Sequence, residues 1–238
     1  MNLYYIRHGQ SANNHLWQLT RSRQGRVCDP ELTPTGMLQA ERVGAYLAGS
    51  RSANPPIRDP QNLGGFYITH LYSSLMLRSV QTGTAISRHL GIPLHGWVDW
   101  HEEGGIYEEV DDDEKEGRPG KGRGFFQAEF PNFILPDEVK ENGWWNRAFE
   151  EEEDRVVRGR RALQELIRRH GNSDEGVAIV SHGGFVHYFI GAILGLSARP
   201  PMSIRLNNCS ITRFDFSDGK SALVYANRVD FLPNELIT

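Results

Sequence analysis

The side chains in this sequence that could act together on a substrate fall in four places: Arg7-His8-Gly9, Arg78, Glu102-Glu103 and His182-Gly183-Gly184. Two arginines offer planar forks that meet phosphate oxygens two at a time, and unlike lysine they keep their charge when buried. A neutral His8 could attack phosphorus through one ring nitrogen, while the other donates to a backbone carbonyl and fixes the tautomer. Gly9 would let the backbone approach a phosphate closely. His182, charged or donating, would stabilise the equatorial oxygens as charge spreads in the transition state. The glycines after it, leading into a helix, would add the partial positive charge of a helix N-terminus. The leaving alcohol needs a proton, for which Glu102 and Glu103 are the candidates. Cationic neighbours make a carboxyl group ionise more easily and burial opposes them, so the donor sits where desolvation offsets the arginines or works best at acidic pH. No step in this scheme calls for a metal or a cofactor, and His182 and His187, five apart, lack the i, i+4 spacing of a helical metal pair.

Elements must carry these groups to one place. Residues 3–6 form an unbroken apolar run, the pattern of a strand buried on both faces. A polar loop follows. Then LTPTGMLQAERVGAYLAG predicts a helix with Thr33 as N-cap, Pro34 in its first position and an apolar face of Leu38, Val43, Tyr46 and Leu47. A Pro-, Gly- and Asn-rich linker over 49–65 leads to a second strand, FYITHLYSS, and to a helix, RSVQTGTAISRHL, stopped at Gly91. Residues 147–170 read as a charged helix, 177–180 as another buried strand followed by an apolar helix, and CSITRFDF-SDG-KSALVYANR as a hairpin turning at Asp218-Gly219. Strands alternating with helices predict an α/β fold with a largely parallel sheet, whose ligands bind beyond the carboxyl ends of the strands. Arg7-His8, the stretch around Arg78, and His182 all sit just after strands, so they can meet there.

Composition narrows the function classes. The chain has 238 residues, 39% hydrophobic and 24% charged, with a net charge of −4. That balance supplies no bulk field for nucleic acid or anionic membrane, so any positive field must be local. Cys28 and Cys209 are far apart in no zinc-like spacing, which suits a reducing compartment. The longest apolar run, 185–196, is interrupted by His187 and is too short to span a bilayer. With no visible N-terminal signal, the expectation is a cytoplasmic protein acting on a small molecule.

Taken together, these motifs resemble the histidine phosphatase superfamily, the phosphoglycerate mutase-like family, along nearly the whole chain. The signature R-H-G-[EQ]-[ST]-x-x-N is matched by Arg7, His8, Gly9, Gln10, Ser11 and Asn14, and LTxxGxxQA by Leu32, Thr33, Gly36, Gln39 and Ala40. SLMLRSVQT, from Ser74 to Thr82, matches the second arginine motif. Val180-Ser181-His182-Gly183 matches the second histidine motif, and Asn208-Cys209-Ser210 the terminal Asn-x-Ser element. The resemblance implies a three-layer α/β/α domain over 1–238 with a mainly parallel sheet and a cap insertion at about 104–147. It implies that His8 is the nucleophile that becomes phosphorylated, and that Arg7, Arg78 and His182 line the phosphate pocket. Ser11, Asn14 and the Gly183 amide are further substrate contacts, and one arginine of TRSRQGR (Arg21, Arg23 or Arg26) is another, with Arg21 taken first. The family pattern E-x-x-x-G-x-[WFY]-E-G reads EEGGIYEE here and lacks the final glycine; Glu102 is the expected acid and Glu103 the alternative.

The expected activity is a metal-independent phosphatase that hydrolyses a phosphomonoester through a phosphohistidine. A phosphomutase is the rival enzyme, and a catalytically weak module that binds a phospho-ligand or a protein is the rival from another class. The segment 104–147 reads as an insertion with an apolar cluster of its own. Its run of seven carboxylates from Glu108 to Glu116 reads as a solvated loop. Arg118, Lys121 and Arg123 read as a basic loop that could reach a second anion, and Trp144 and Trp145 as packing of the cap.

Overall fold

The first strand, β1 (Asn2–Arg7), is buried on both faces as its unbroken apolar run predicts. Leu3, Tyr4, Tyr5 and Ile6 are inaccessible to solvent in the computed structural model, which describes residues 1–49, 59–110, 114–171 and 173–238. The next segment departs from expectation. Residues read as a polar loop form a helix, α1 (Ala12–Thr20), none of whose residues is buried, so no apolar stripe marks it. Its start is nonetheless written in the sequence as a capping box. The Asn14 N–H donates to Ser11 Oγ at 3.3 Å, and the Ser11 N–H donates to Asn14 Oδ1 at 3.2 Å.

Helix α2 (Pro34–Gly49) begins where Thr33 predicts, with the Gly36 N–H donating to Thr33 Oγ1 at 3.0 Å. Most of the linker, residues 50–58, lies outside the described residues. The second strand, β2 (His70–Ser73), is shorter than expected, and α3 (Leu77–Leu90) ends at Gly91 in the left-handed conformation, φ 64°. A short strand, β3 (Leu94–Gly96), follows. Residues 104–147 then contribute a two-stranded ribbon, β4 (Tyr107–Glu109) and β5 (Lys115–Gly117), a helix α4 (Arg123–Glu129) and β6 (Phe133–Ile134). Helix α5 (Glu152–His170) starts five residues later than its charge pattern suggests. Its first turn holds Glu152, Glu153 and Asp154 and its last Arg168, Arg169 and His170, which complements the helix dipole. The chain closes with β7 (Gly176–Ser181), α6 (Phe185–Ile193) and the hairpin β8 (Ile211–Ser217) and β9 (Lys220–Arg228). Its turn residues, Asp218 and Gly219, both take positive φ, 51° and 71°, as a tight hairpin demands.

The main sheet has seven strands in the order β6-β3-β2-β7-β1-β8-β9. The first five are mutually parallel and the last two antiparallel. Alternate residues of β1 face opposite layers. Tyr4 and Ile6 join Val43 and Leu47 of α2 and Val80 and Ile86 of α3 on one face, while Leu3 and Tyr5 join Leu166 of α5 and Phe185 and Phe189 of α6 on the other. Each such side chain contributes roughly 1.5–3 kcal/mol by leaving water.

The expectation that 104–147 keeps its own apolar cluster is overturned. Strand β6 pairs with β3 at the edge of the main sheet, and Phe126, Phe133, Val139, Trp144 and Trp145 belong to the same core as Leu94 and Leu75. The physical reason is size: so short a segment cannot bury several large aromatic rings against itself, so they pack onto the sheet layer. Among the described residues no helix is long and apolar enough to cross a membrane.

Candidate active site

Strands β2, β7 and β1 are neighbours, with Arg7 opposite Ser181 and Ser73 opposite Val180. Their carboxyl ends therefore deliver Arg7-His8, His182 and Ser74 side by side, and the first turn of α3 adds Arg78 a few residues on. The rings of His8 and His182 are 5.1 Å apart, centroid to centroid.

His8 is 3% exposed, and its Nδ1 lies 2.6 Å from the carbonyl oxygen of Gly9. A carbonyl can only accept, so Nδ1 carries the proton and Nε2 keeps its lone pair. Arg78 Nε donates to that Nε2 at 3.2 Å. Burial, then the charges of Arg78 and Arg7, holds His8 well below its ordinary range, so the ring is neutral near pH 7. The backbone is pinned as well: the His8 N–H donates to Ser181 O at 3.0 Å, and Asn208 Nδ2 donates to His8 O at 2.9 Å and to Asn14 Oδ1 at 3.2 Å.

His182 is also kept neutral, by burial first and by Arg78 and His8 next, so of the two states expected of it the donating one applies. Its Nε2 lies 2.7 Å from Ser74 Oγ and 3.3 Å from Ser79 Oγ, hydroxyls that can donate to it, leaving the proton for Nδ1. That Nδ1 and Nε of Arg7 are both buried without a hydrogen-bond partner among the described residues. Arg7 spends one terminal nitrogen on Leu206 O. Buried unpaired donors are costly, and two of them beside His8 mark a place for anionic oxygens.

Two readings of glycines change. A Cβ at Gly9 would stand 2.5 Å from Gly36 O, so this glycine serves the crossing of β1's end against α2 rather than an approach to a ligand. The N-terminus of α6 is already satisfied by a side chain of the protein itself. The Phe185 N–H donates to Glu102 Oε1 at 2.8 Å, and the Gly184 N–H to Glu102 Oε2 at 3.1 Å. A Cβ at Gly184 would come within 2.5 Å of Glu102 Oε1, which explains the second glycine. Gly183 packs on Arg7, where an added Cβ would be 3.3 Å from Nε.

Glu102 lies on the side of Arg7 and Arg78 and acts electrostatically on both. Glu103 turns the other way, toward Arg155 at 3.7 Å and Arg199 at 4.0 Å. Burial and the charge of Glu102 raise the Glu103 carboxyl above its ordinary range. The loop carrying both is tied down from behind by Arg158, which is 1% exposed. Arg158 grips Glu150 with two bonds of 2.6 and 2.7 Å and donates to Asp99 O at 2.8 Å and His101 O at 2.9 Å. Ser181 Oγ adds a bond to Trp100 O at 2.8 Å.

A cavity of about 870 Å³ opens in front of this arrangement, lined by Arg7, His8, Ser11, Asn14, Arg78, Glu102 and Glu103 together with Tyr107, Glu108, Glu109 and Lys115. Ser11 lines it but spends its hydroxyl on the α1 cap. Of the early arginines, Arg23 and Arg26 reach the cavity, whereas Arg21, at the left-handed C-cap of α1, lies only on a smaller adjoining cavity of about 430 Å³. Arg118 pairs with Glu108 and Glu116, Arg123 with the carbonyls of Val139 and Pro136, and Lys121 covers the Phe125 ring, so none of the three lines either cavity. Trp144 and Trp145 are core residues packed on His101. Of the acidic run, Asp111, Asp112 and Asp113 lie outside the described residues.

Sequence reasoning missed Asp29, Ser74, Ser79, Arg158 and Glu150. Asp29 Oδ1 accepts from the Leu77 N–H at 3.1 Å and lies 3.8 Å from Arg78 Nη1, anchoring the guanidinium from outside. Nothing local in RVCDPE announces that contact. Ser74 and Ser79 flank Arg78 within SLMLRSVQT, and their small polar side chains in a buried stretch were the available signal.

A model of the histidine phosphatase superfamily (branch 1) matches residues 3–55 and 60–229. A protein of Hydrogenobacter thermophilus named "Putative phosphoserine phosphatase 2" is 26% identical over 234 residues, covering 95% of both chains. One of Salmonella typhi named "Probable phosphoglycerate mutase GpmB" is 26% identical over 230 residues, 92% of this chain and 87% of that one. Among solved structures, a phosphoserine phosphatase mutant from Entamoeba histolytica in complex with phosphoserine superposes with a TM-score of 0.58 at 22% identity, covering 98% and 99% of the two chains. A mycobacterial glucosyl-3-phosphoglycerate phosphatase complexed with VO3 gives 0.59 at 19% identity, covering 96% and 99%. Those two likenesses establish the shared fold.

Proposed function

The chain belongs to the histidine phosphatase superfamily, and on that premise we propose that it is a phosphomonoesterase working through a phosphohistidine. The observation that carries this reading is His8: a buried neutral imidazole whose Nδ1 proton is committed to Gly9 O, leaving the lone pair on Nε2, which faces Arg78 Nε at 3.2 Å until a phosphate oxygen takes up that donor. Arg7 Nε and His182 Nδ1 are the buried donors available to phosphate oxygens, with the Arg78 guanidinium closing the pocket. As charge spreads over those oxygens, donors already held in place by the fold stabilise it without reorganising.

In the first step the bond from His8 Nε2 to phosphorus forms as the ester P–O bond breaks, and Glu102 passes a proton to the leaving oxygen. In the second, water attacks phosphorus, gives its proton to Glu102 and displaces His8, releasing inorganic phosphate. Glu103 is the alternative donor, since its raised carboxyl holds a proton closer to neutrality. The reading treats 1–238 as one catalytic domain, and the segment 104–147 as the cover that selects the substrate, since Tyr107, Glu108, Glu109 and Lys115 stand across the cavity from His8. The substrate is then a small phosphomonoester, with Asn14, Ser11, Gly183, Arg23 and Arg26 as the remaining contacts around it.

The test is phosphate release from nitrophenyl phosphate with chelator present, for wild type and His8→Ala. Release by the wild type alone supports the mechanism; substantial turnover by the variant refutes it. Transfer of phosphate within one metabolite, without net release, would instead assign the chain to the mutases of its superfamily.

A further inference from the structure

At the opposite end of the sheet from His8, the amino ends of β2 and β7 bring together a second group of chemically capable side chains. His70 opens β2, Glu175 immediately precedes β7, and His170 ends α5. Because β2 and β7 pair in parallel with His70 opposite Val177, Glu175 lies beside His70, and His170 reaches the same carboxylate through Nδ1. One donor atom from each of the three lies within 4.8 Å of the others. We propose that His70, His170 and Glu175 form a binding site for a divalent transition-metal cation, with zinc as the representative ion.

The donor set of two imidazoles and one carboxylate suits zinc and its neighbours, and with three protein ligands it leaves a position open to water. Tetrahedral zinc with bonds of about 2.0–2.1 Å holds its ligand atoms about 3.3 Å apart. Here His170 Nδ1 is 2.7 Å from Glu175 Oε2, and His70 Nδ1 is 3.8 Å from Glu175 Oε1. These separations lie on either side of the ideal, so small rotations of partly exposed side chains reach it. The two imidazole rings are 4.6 Å apart, both turned to the one carboxylate.

The surroundings are those of an oriented ligand set. The buried His170 ring is fixed through its far nitrogen, with Nε2 3.1 Å from the Tyr72 hydroxyl. Ser173 Oγ lies 2.9 Å from Glu175 Oε2 and 2.7 Å from His170 O, so its one proton is placed between the two. The Thr69 hydroxyl, 3.0 Å from His70 Nδ1, has Gly176 O at 3.1 Å to donate to, so His70 Nδ1 can turn to a cation without orphaning it. Such outer contacts fix ligand orientation and typically matter 10–100-fold for affinity. His70 and Glu175 are each about one-third exposed, which gives an ion its way in.

The inference stands apart from the catalytic proposal, because none of these residues touches the His8 cavity. The experiment is calorimetric titration of the metal-stripped protein with Zn²⁺, alongside visible absorption of the Co²⁺-loaded protein, for wild type, His70→Ala and Glu175→Gln. One ion per chain in the wild type is expected, with affinity falling at least tenfold in each variant, and Co²⁺ bands of low coordination number in the wild type alone. Circular dichroism and thermal melting unchanged from wild type verify that the two variants fold. No binding by the wild type, or equal binding by all three proteins, would overturn the site and leave a hydrogen-bonded cluster in its place.

Discussion

Arg158→Met should weaken this protein twice over, in stability and in catalysis, although residue 158 never meets substrate. The side chain is 1% exposed, and its partner Glu150 is 8% exposed. Removing the guanidinium leaves Glu150 buried without its bidentate partner, a change that typically costs about 3–5 kcal/mol. The carbonyls of Asp99 and His101 lose a charged donor as well, so the upper part of that range is expected. At this chain length about 1 kcal/mol moves the thermal midpoint by about 2–4 °C, so the drop should be roughly 10 °C or more. A second substitution, Glu150→Leu, should recover a large part of the loss, because an apolar pair avoids the desolvation penalty of the ion pair. Catalysis reports separately, since the residues Arg158 ties down, 99 to 101, run directly into Glu102. Below the melting transition, kcat for an alkyl phosphate should fall more than kcat for nitrophenyl phosphate, whose leaving group needs less help from an acid. The assays are urea denaturation and phosphate release on both substrates for the single and double variants. A loss under about 1 kcal/mol, or equal declines on the two substrates, would refute the reasoning.

Glu102→Gln should reduce turnover of alkyl phosphates by about two orders of magnitude or more while sparing nitrophenyl phosphate, as expected of a general acid; the same split in Glu103→Gln, with Glu102→Gln unaffected, would move the role to Glu103. Asp29 gives a pH prediction. Burial outweighs Arg78 and pushes its carboxyl up to about 6 from 3.8, so the native state holds this proton more tightly than the unfolded chain does. Its contribution is complete below about pH 3.8 and is lost as pH rises through about 6, on the order of 3 kcal/mol for a shift near two units. Asp29→Asn should therefore flatten the stability profile between about pH 4 and 7 relative to wild type, and parallel profiles from denaturant melts would contradict the assignment.

The sequence by itself determined the parts whose signals are local. Four buried or amphipathic elements could be read from period and caps: the apolar run of β1, the Thr33-Pro34 start of α2, the Gly91 stop of α3 and the Asp218-Gly219 turn. Their alternation implied a parallel sheet, and the groups following three strands implied a common site, because side chains beyond adjacent strand ends must converge. Helix α1 escaped notice because it buries no face, leaving only its capping box as a signal. What tertiary structure decided depends on contacts between distant positions. Only the order β2-β7-β1 sets His182 beside His8, and only burial among arginines makes both rings neutral. The aromatic residues of 104–147 were visible in sequence, yet that they pack with Leu75 and Leu94 in the core of the main sheet was decided by the tertiary fold. The same holds for Asp29 behind Arg78, for Glu102 on the N-terminus of α6 and for Arg158 beneath Glu102's loop. Each is a polar side chain held in place by a partner tens of residues away, and no periodicity or local motif records a pairing of that kind.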